Sequence, residues 1–220
     1  MTAHKITLIG TTHKEKGLCN SNELFKIIDE ISPDVIYEEL PPDHFREFYQ
    51  KHVKNSLEAK AINKYVQKKP IPHIPVDIKS IGVLDAKLKN KISNTLSIFD
   101  NNPDYLNLIY QHKILTHKHG FPYLNSQECM NLFDHIELLE KNMVKQINEP
   151  ELSKTYKLWK DLHEKRENTM LKNINDYGMK FKPKNALFLL GSAHRKSIIE
   201  KVKNDYNRNV ENFKWIFDAI

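Results

Sequence analysis

Two short apolar segments near opposite ends of the chain share one pattern, and they constrain the fold more than any other feature. Residues 8–13 read LIGTTH and residues 189–194 read LLGSAH, so each apolar run ends in glycine, two small residues and histidine. Continuous apolar runs that stop at glycine are typical of buried β-strands. With six glycines and eleven histidines in 220 residues, roughly 0.3 such Gly-x-x-His matches are expected by chance. We therefore predict two buried strands that present His13 and His194 just beyond their ends.

The residues that follow the first segment predict a parallel sheet. Apolar residues recur at helical spacing over residues 24–31, with Ser21 or Asn22 as the N-cap, and residues 35–37 form the next apolar strand. A strand, a helix and a second strand within about 35 residues form a βαβ unit, whose strands are parallel.

The rest of the chain predicts an α/β fold, with a mostly parallel central sheet flanked by helices and a long helical insert that forms a cleft wall. We predict helices over residues 43–67 and 197–205 and strands over residues 71–78, 186–191 and 213–217. Residues 80–178 have almost entirely helical patterns, with breaks at 101–103, at 119–122 and near Pro150. The chain 1–220 is predicted to be a single domain, with a core of approximately 1–80 and 180–220 and an insert of approximately 81–179. On the last predicted helix of the insert, Tyr156, Trp159 and Leu162 have the spacing of core residues.

Composition narrows the function classes. The net charge is +6, but only four of the 34 basic residues are arginine, and the lysines are spread along the chain. We therefore expect a solvated lysine surface and no nucleic-acid partner. No apolar run is long enough for a membrane span. Two cysteines, Cys19 and Cys129, are typical of a reducing compartment, and with no apolar leader recognised we expect a cytoplasmic protein.

Acidic residues follow two further predicted strands. Glu38 and Glu39 end the second strand, and because side chains alternate along a strand, one of them is expected to face the histidines. Asp77 ends the third strand. Ligands of open parallel sheets bind beyond the carboxyl ends of the strands, where all these residues are expected to lie.

This combination of residue types favours one of two chemistries. Two histidines and one or two carboxylates suit a divalent transition metal, such as Mn, Co or Zn, with an open position for water. Without a metal, one histidine acts as a general base and a glutamate orients it.

The ordered motifs resemble the TraB/Tiki superfamily, which includes TraB/PrgY and GumN-like proteins and is related to the erythromycin-esterase-like and ChaN-like folds. Its pattern has a Gly-x-x-His strand, a helix, a Pro-Asp-Val strand followed by Glu-Leu, and a second Gly-x-x-His strand. Residues 33–40 read PDVIYEEL, so the alignment matches Glu39 to the family glutamate. Arg166 and Met170 resemble a helix motif Glu-Arg-x-x-x-Met. Lys165 stands in place of its glutamate, and Glu164 or Glu167 is a candidate substitute.

The resemblance implies a metal-dependent hydrolase of amide or ester bonds, with a peptide or small-molecule substrate, as for the Tiki proteases. On this hypothesis the metal ligands are His13, Glu39 and His194. Asp77 or Glu38 completes the shell or takes a proton from water, and Arg166 orients the substrate. Two alternatives stay open: a non-catalytic protein that binds a peptide, haem or signalling ligand, and a metal-free esterase that uses histidine as base. The sequence does not give the oligomeric state.

Overall fold

A computed structural model of the protein describes residues 4–51, 55–79, 82–206 and 213–220. Its strands form one all-parallel five-stranded sheet with the order β3-β2-β4-β1-β5. The strands are β1 (His4–Thr11), β2 (Val35–Glu38), β3 (His73–Pro75), β4 (Asn185–Gly191) and β5 (Phe213–Ile216). Helices pack on both faces, so the predicted α/β class with a parallel sheet is confirmed.

The two Gly-x-x-His strands are direct neighbours in the middle of this sheet. β1 and β4 pair in parallel, with Gly10 opposite Leu190 and Thr11 opposite Gly191. Both strands are buried on both faces, which is why their sequences are continuously apolar rather than alternating. The pairing brings two segments about 180 residues apart in sequence to the same edge of the sheet.

The first βαβ unit follows the sequence pattern except at its helix cap. Helix α1 covers Ser21–Ile31. Its N-cap is Asn20, whose side chain accepts hydrogen bonds from the backbone N–H groups of Asn22 and Glu23. The predicted caps, Ser21 and Asn22, are therefore wrong, and both residues belong to the first turn.

The predicted helix over 43–67 is also wrong as a single element. A 3-10 turn over Pro42–His44 leads into α2 (Phe45–Tyr49), and α3 covers Leu57–Lys68, while residues 52–54 of the prediction lie outside the described residues. Ser56 caps α3 by accepting a hydrogen bond from the backbone N–H of Ala59, which makes it a separate helix.

Two further boundaries differ from the prediction. The third strand pairs over only three residues, because it is an edge strand bordered by Pro72 and ending at Pro75, and proline cannot donate to a ladder. The last helix, α8 (Ser192–Lys201), begins directly after β4 instead of at Ser197. Its first turn contains one small apolar residue, Ala193, which is too little for helical periodicity to show, and His194 consequently lies on the helix.

Long helices fill the middle of the chain, as predicted. They are α4 (Gly82–Leu96), a 3-10 turn over Ser97–Asn101, α5 (Pro103–Leu124), α6 (Gln127–Ile147) and α7 (Pro150–Phe181). The breaks fall where expected, including a kink at Gly120, which has φ 58°. An added Cβ there would lie 2.8 Å from the carbonyl oxygen of Leu18, so the close approach requires glycine. None of the helices in the described part of the chain combines the length and apolar character that a bilayer crossing requires.

A buried asparagine fixes the helical middle to the end of β1. β5 pairs with β1 only as far as Thr7, and beyond that point the amide of Asn125, after α5, takes the place of a neighbouring strand. Its Oδ1 accepts a hydrogen bond from the N–H of Gly10 (2.7 Å), and its Nδ2 donates to the carbonyl oxygen of Gly10 (3.1 Å).

We expect Asn125→Ala to lower the free energy of unfolding by about 1–3 kcal/mol, because it leaves buried backbone groups without partners. Urea unfolding monitored by circular dichroism measures this. Asn131→Ala, at an exposed position on α6, is the matched control and is expected to change stability by less than about 0.5 kcal/mol. Equal stabilities of the two variants would contradict the role of Asn125.

Candidate functional site

Four of the six predicted site residues converge at the carboxyl edge of the sheet, around the guanidinium of Arg166. Its Nη2 donates to Glu39 Oε1 (2.5 Å) and to Asp77 Oδ2 (2.7 Å), and its Nε donates to both Asp77 oxygens (3.1 and 3.3 Å). Its Nη1 lies 3.4 Å from Nε2 of His194. Arg166 therefore joins the ends of β2 and β3 to α7, and the acids that it binds come from the sheet rather than from its own helix.

Glu39 binds the second glycine loop as well as Arg166. Its Oε2 accepts a hydrogen bond from the N–H of Gly191 (2.6 Å), and an added Cβ at Gly191 would lie 3.0 Å from this oxygen. Burial acts to raise the pKa of Glu39, but His194, Arg166 and the Gly191 N–H outweigh it and lower the pKa below the ordinary value. Glu39 is thus a buried, ionised carboxylate.

His194 is held by a glutamate of α7. Its Nδ1 lies 2.7 Å from Glu167 Oε1, and Ser197 donates to the other oxygen of Glu167 (2.6 Å). Of the two residues expected to replace the family glutamate, it is Glu167 and not Glu164 that contacts the site. His194 is 5% exposed and contacts the ring of His163, with centroids 4.7 Å apart.

His13 forms the same kind of pair on the other face of the sheet. Its Nδ1 lies 3.1 Å from Oε1 of Glu58 on α3, and that oxygen also accepts a hydrogen bond from the Thr11 hydroxyl (2.8 Å). The hydrogen bond to Glu58 raises the pKa of His13 to about 9, with further contributions from the charges of Glu58 and Glu39 that outweigh burial and the Arg166 charge. The raised pKa favours the imidazolium form at neutral pH, although the side chain is 64% exposed, and the described residues form no hydrogen bond to its Nε2.

Glu38 faces away from the Arg166 cluster. Its Oε2 accepts a hydrogen bond from the Tyr49 hydroxyl. Its Oε1 lies 2.7 Å from Nδ1 of His73. The expected alternation of Glu38 and Glu39 is therefore observed, and Glu39 is the one that faces His194, as the alignment to the family glutamate implies.

A cavity of about 800 Å³ lies over this edge of the sheet. Its polar floor contains His13, Glu39, Asp77 and Arg166, and Glu38 and Glu58 also line it. His194 is not among the lining residues and touches the cavity wall through Arg166 and His163. The opposite wall comes from α4 to α7, which is the cleft wall predicted for the helical insert.

Sequence reasoning missed two of the residues that shape the site, Glu58 and His163, and it named Glu167 without predicting that it contacts His194. His163 packs between Trp159 and His194 with tilted rings, the centroids 4.7 Å from each, and burial together with the charges of His194 and Arg166 lowers its pKa to about 4. One signal was available: residues 163, 166, 167 and 170 have i, i+3, i+4, i+7 spacing and so share one face of α7. For Glu58 the sequence held no comparable signal.

The metal hypothesis was tested against this geometry. Among the described residues, no group of three or more His, Cys, Asp or Glu side chains is arranged to hold a metal ion. Arg166 lies where a shared metal would have to lie, because it contacts Glu39, Asp77 and His194 together. A divalent ion beside a guanidinium within hydrogen-bond distance of the same carboxylates would be repelled. These side chains therefore do not fit a metal ion.

Comparison with protein-family models, with curated proteins and with solved structures finds no match to this chain. The resemblance to the TraB/Tiki superfamily stays a prediction that rests on the motifs.

We expect Arg166→Met to lower the free energy of unfolding at pH 7 by about 3–5 kcal/mol, because it leaves the Glu39 and Asp77 carboxylates buried without their cation. The loss should shrink near pH 5, where the stranded carboxylates of the variant can take up protons. In the wild type, the lowered pKa of Glu39 contributes stability that is present above about pH 4.5 and is lost as the pH falls through the folded-state value.

Denaturant unfolding of both proteins at pH 7 and pH 5 measures this prediction. Lys165→Met, at the exposed neighbouring position, is the matched control and should leave stability nearly unchanged at both pH values. An Arg166→Met loss that is the same at pH 5 and pH 7 would contradict the ion-pair origin of the effect.

Proposed function

We propose that the protein is a hydrolase of ester or amide bonds whose acid–base chemistry is carried by Glu39 and His13 without a metal. The proposal rests on one observation. His13, whose pKa is raised, and Glu39, whose pKa is lowered, both line the floor of the same cavity. The pKa of His13 is raised to about 9 and that of Glu39 is lowered, and each contributes to the other's shift. Two titratable groups whose environments drive their pKa values apart are the usual acid and base of a hydrolytic site.

Glu39 is assigned as the general base. It is ionised and lines the cavity, and its hydrogen bonds from Gly191 and Arg166 fix the carboxylate in one orientation. A water molecule beside it would attack the substrate carbonyl carbon as its proton passes to Glu39. Glu38, which the sequence offered for this step, is engaged by Tyr49 and His73 instead.

His13 is assigned as the general acid. Its Nδ1 pairs with Glu58, so Nε2–H of the imidazolium is available to donate to the carbonyl oxygen as negative charge develops there. When the carbon–oxygen or carbon–nitrogen bond breaks, His13 gives a proton to the leaving alcohol or amine. The products are a carboxylic acid and the alcohol or amine, and the proton held by Glu39 returns to His13 through solvent.

Arg166, His194 and Glu167 are positioning residues in this scheme. Arg166 keeps Glu39 ionised and holds it beside Asp77, while the Glu167–His194 pair supports Arg166 from the protein side. The sequence predicts that Arg166 orients the substrate. In this scheme it binds the carboxylates of Glu39 and Asp77 instead. A small molecule or short peptide in a cavity of about 800 Å³ is the expected substrate. Two buried free cysteines suit the cytoplasm as its location.

The proposal is tested by hydrolysis of matched substrates with good and poor leaving groups. We expect His13→Ala to lower kcat/KM for an alkyl ester by roughly 10²–10⁴-fold and to have a smaller effect on the p-nitrophenyl ester of the same acid, because p-nitrophenolate leaves without a proton. Glu39→Gln should impair both substrates similarly. His119→Ala, at an exposed histidine on α5, is the control. Equal losses on both esters for His13→Ala would contradict its role as acid.

The pH profile separates an acid from a base at position 13. Because the raised pKa of about 9 keeps His13 protonated at neutral pH, wild-type kcat/KM on the alkyl ester should fall as the pH rises through about 9. His13→Ala should lack this limb. A rate that instead climbs through pH 9 would assign His13 as the base.

Chelation separates the proposed mechanism from the metal-dependent one. After dialysis against EDTA, we expect wild-type kcat/KM to be unchanged, and elemental analysis of the purified protein should find no stoichiometric Mn, Co or Zn. Loss of activity on dialysis, restored by one of these ions and absent from His194→Ala, would support the metal-dependent hydrolase instead. Saturable ligand binding with no turnover of any ester or amide would support a binding protein.

A further inference from the structure

The helical wall of the cavity contains a carboxylate among aromatic rings, away from the polar floor. Glu140 on α6 lines the cavity together with Phe99, Tyr105 and Trp159, and it is only 5% exposed. Tyr156 closes the cluster from behind, and its hydroxyl lies 3.2 Å from Oε2 of Glu140. We refer to this cluster as the aromatic subsite: Phe99, Tyr105, Glu140, Tyr156 and Trp159.

Glu140 has no ion-pair partner in the described part of the chain. The charges of Lys141 and Lys160 act to lower the pKa of Glu140 without outweighing its burial, but both lysines bind Glu137, at 2.7 and 2.9 Å, and Nζ of Lys160 also lies 5.6 Å from the centroid of the Trp159 ring. The hydroxyl of Tyr156 is the one hydrogen bond that Glu140 receives from described residues. A buried carboxylate without a cation is costly, and such groups are rare unless something pairs with them.

The aromatic rings form several faces and edges around this carboxylate. Phe99 lies 5.7 Å from Tyr105 and 6.0 Å from Tyr156, the latter at 84°, and Tyr156 lies 5.7 Å from Trp159, all between ring centroids. Ring faces attract organic cations, and the attraction grows when the cation is desolvated. A hard metal ion needs several oxygen ligands, which one carboxylate cannot supply.

From the sequence, Tyr156, Trp159 and Leu162 are interpreted as core residues, and this holds only in part. Tyr156 is buried with Phe99, Met143 and Leu152, but Trp159 and Leu162 line the cavity.

We propose that the aromatic subsite binds an organic ammonium group attached to an apolar body. Leu88, Ile92 and Leu96 of α4 line the same wall and offer apolar surface for that body. That the bound molecule is also the substrate rests on the proposed hydrolase function. The binding of the ammonium group does not.

Without a bound cation, the ionised carboxylate of Glu140 should lower the free energy of unfolding. Burial raises the pKa of Glu140 from 4.5 to about 7 in the folded protein. The folded state therefore binds this proton more tightly than the unfolded chain does. The resulting stability is fully present below pH 4.5 and is lost as the pH rises through about 7. Glu140→Gln should therefore raise the melting temperature at pH 8 and have little effect at pH 5. The other groups that face Glu140 are Tyr105 and Tyr156, which stay neutral, Lys160 of α7, and Glu137 and Lys141 of its own helix.

The test uses benzyltrimethylammonium and its uncharged isostere neopentylbenzene, with binding followed by tryptophan fluorescence at pH 8. We expect the wild type to bind the ammonium at least tenfold more tightly than the isostere. Glu140→Gln should lose that preference while melting at or above the wild-type temperature, which shows that it folds. Glu128→Gln, at an exposed position on the same helix, should bind as the wild type does.

In the wild type, affinity for the ammonium should fall as the pH drops through about 7, and affinity for neopentylbenzene should not change. Equal affinity of wild type and Glu140→Gln for benzyltrimethylammonium, or no preference over the isostere, would overturn the proposal. Ammonium binding without hydrolysis of any ester would leave the subsite intact and contradict the proposed function. If the rate of ester hydrolysis depends neither on an ammonium group in the substrate nor on Glu140→Gln, the result would support the proposed function and contradict the aromatic subsite.

Discussion

The buried carboxylate of Glu39 is the interaction on which the arrangement of the site depends. One oxygen accepts the N–H of Gly191, and the other accepts a hydrogen bond from Arg166, so a single side chain ties the end of β2 to the β4–α8 turn and to α7. Because Arg166 also binds Asp77, the end of β3 joins the same network. Burying this charge is favourable only while every partner is present, and the four segments are therefore positioned together.

The two Gly-x-x-His loops have similar sequences but different chemical environments, because their glutamate partners come from opposite faces of the sheet. His13 pairs with Glu58 on α3 and lines the cavity, while His194 pairs with Glu167 on α7 and is buried. In both pairs the glutamate contacts Nδ1 of the histidine, and Nε2 of His194 lies 3.4 Å from Nη1 of Arg166. Adjacent strands thus supply one histidine that can meet a ligand and one that supports the Arg166 network.

Those features that depend on local pattern could be predicted from the sequence, and those that depend on tertiary contacts could not. The buried strands, their parallel direction, the shared edge and the breaks in the helical middle follow from apolar runs, glycine and proline. The start of α8 could not be predicted because its first turn has no apolar periodicity. Glu58 was missed because only a tertiary contact brings it to His13, in which the start of α3 hydrogen-bonds to residues 11–13. Arg166 was identified from its motif, but its partners Glu39 and Asp77 are 127 and 89 residues away in sequence, beyond the reach of any spacing argument.

The helical insert gives the cavity a chemistry that the sheet alone could not provide. The sheet edge supplies charges that are almost all paired within the protein, and this favours a fixed, preorganised floor. The insert supplies aromatic and aliphatic surface, with one carboxylate, Glu140, that forms no ion pair with the described residues. A fold under selection for stability alone would be expected to replace Glu140 with an apolar or amide side chain, since its neighbours are aromatic and its pKa is raised. In the proposed subsite, an ammonium group that enters from the cavity would supply the cation that Glu140 lacks among the described residues.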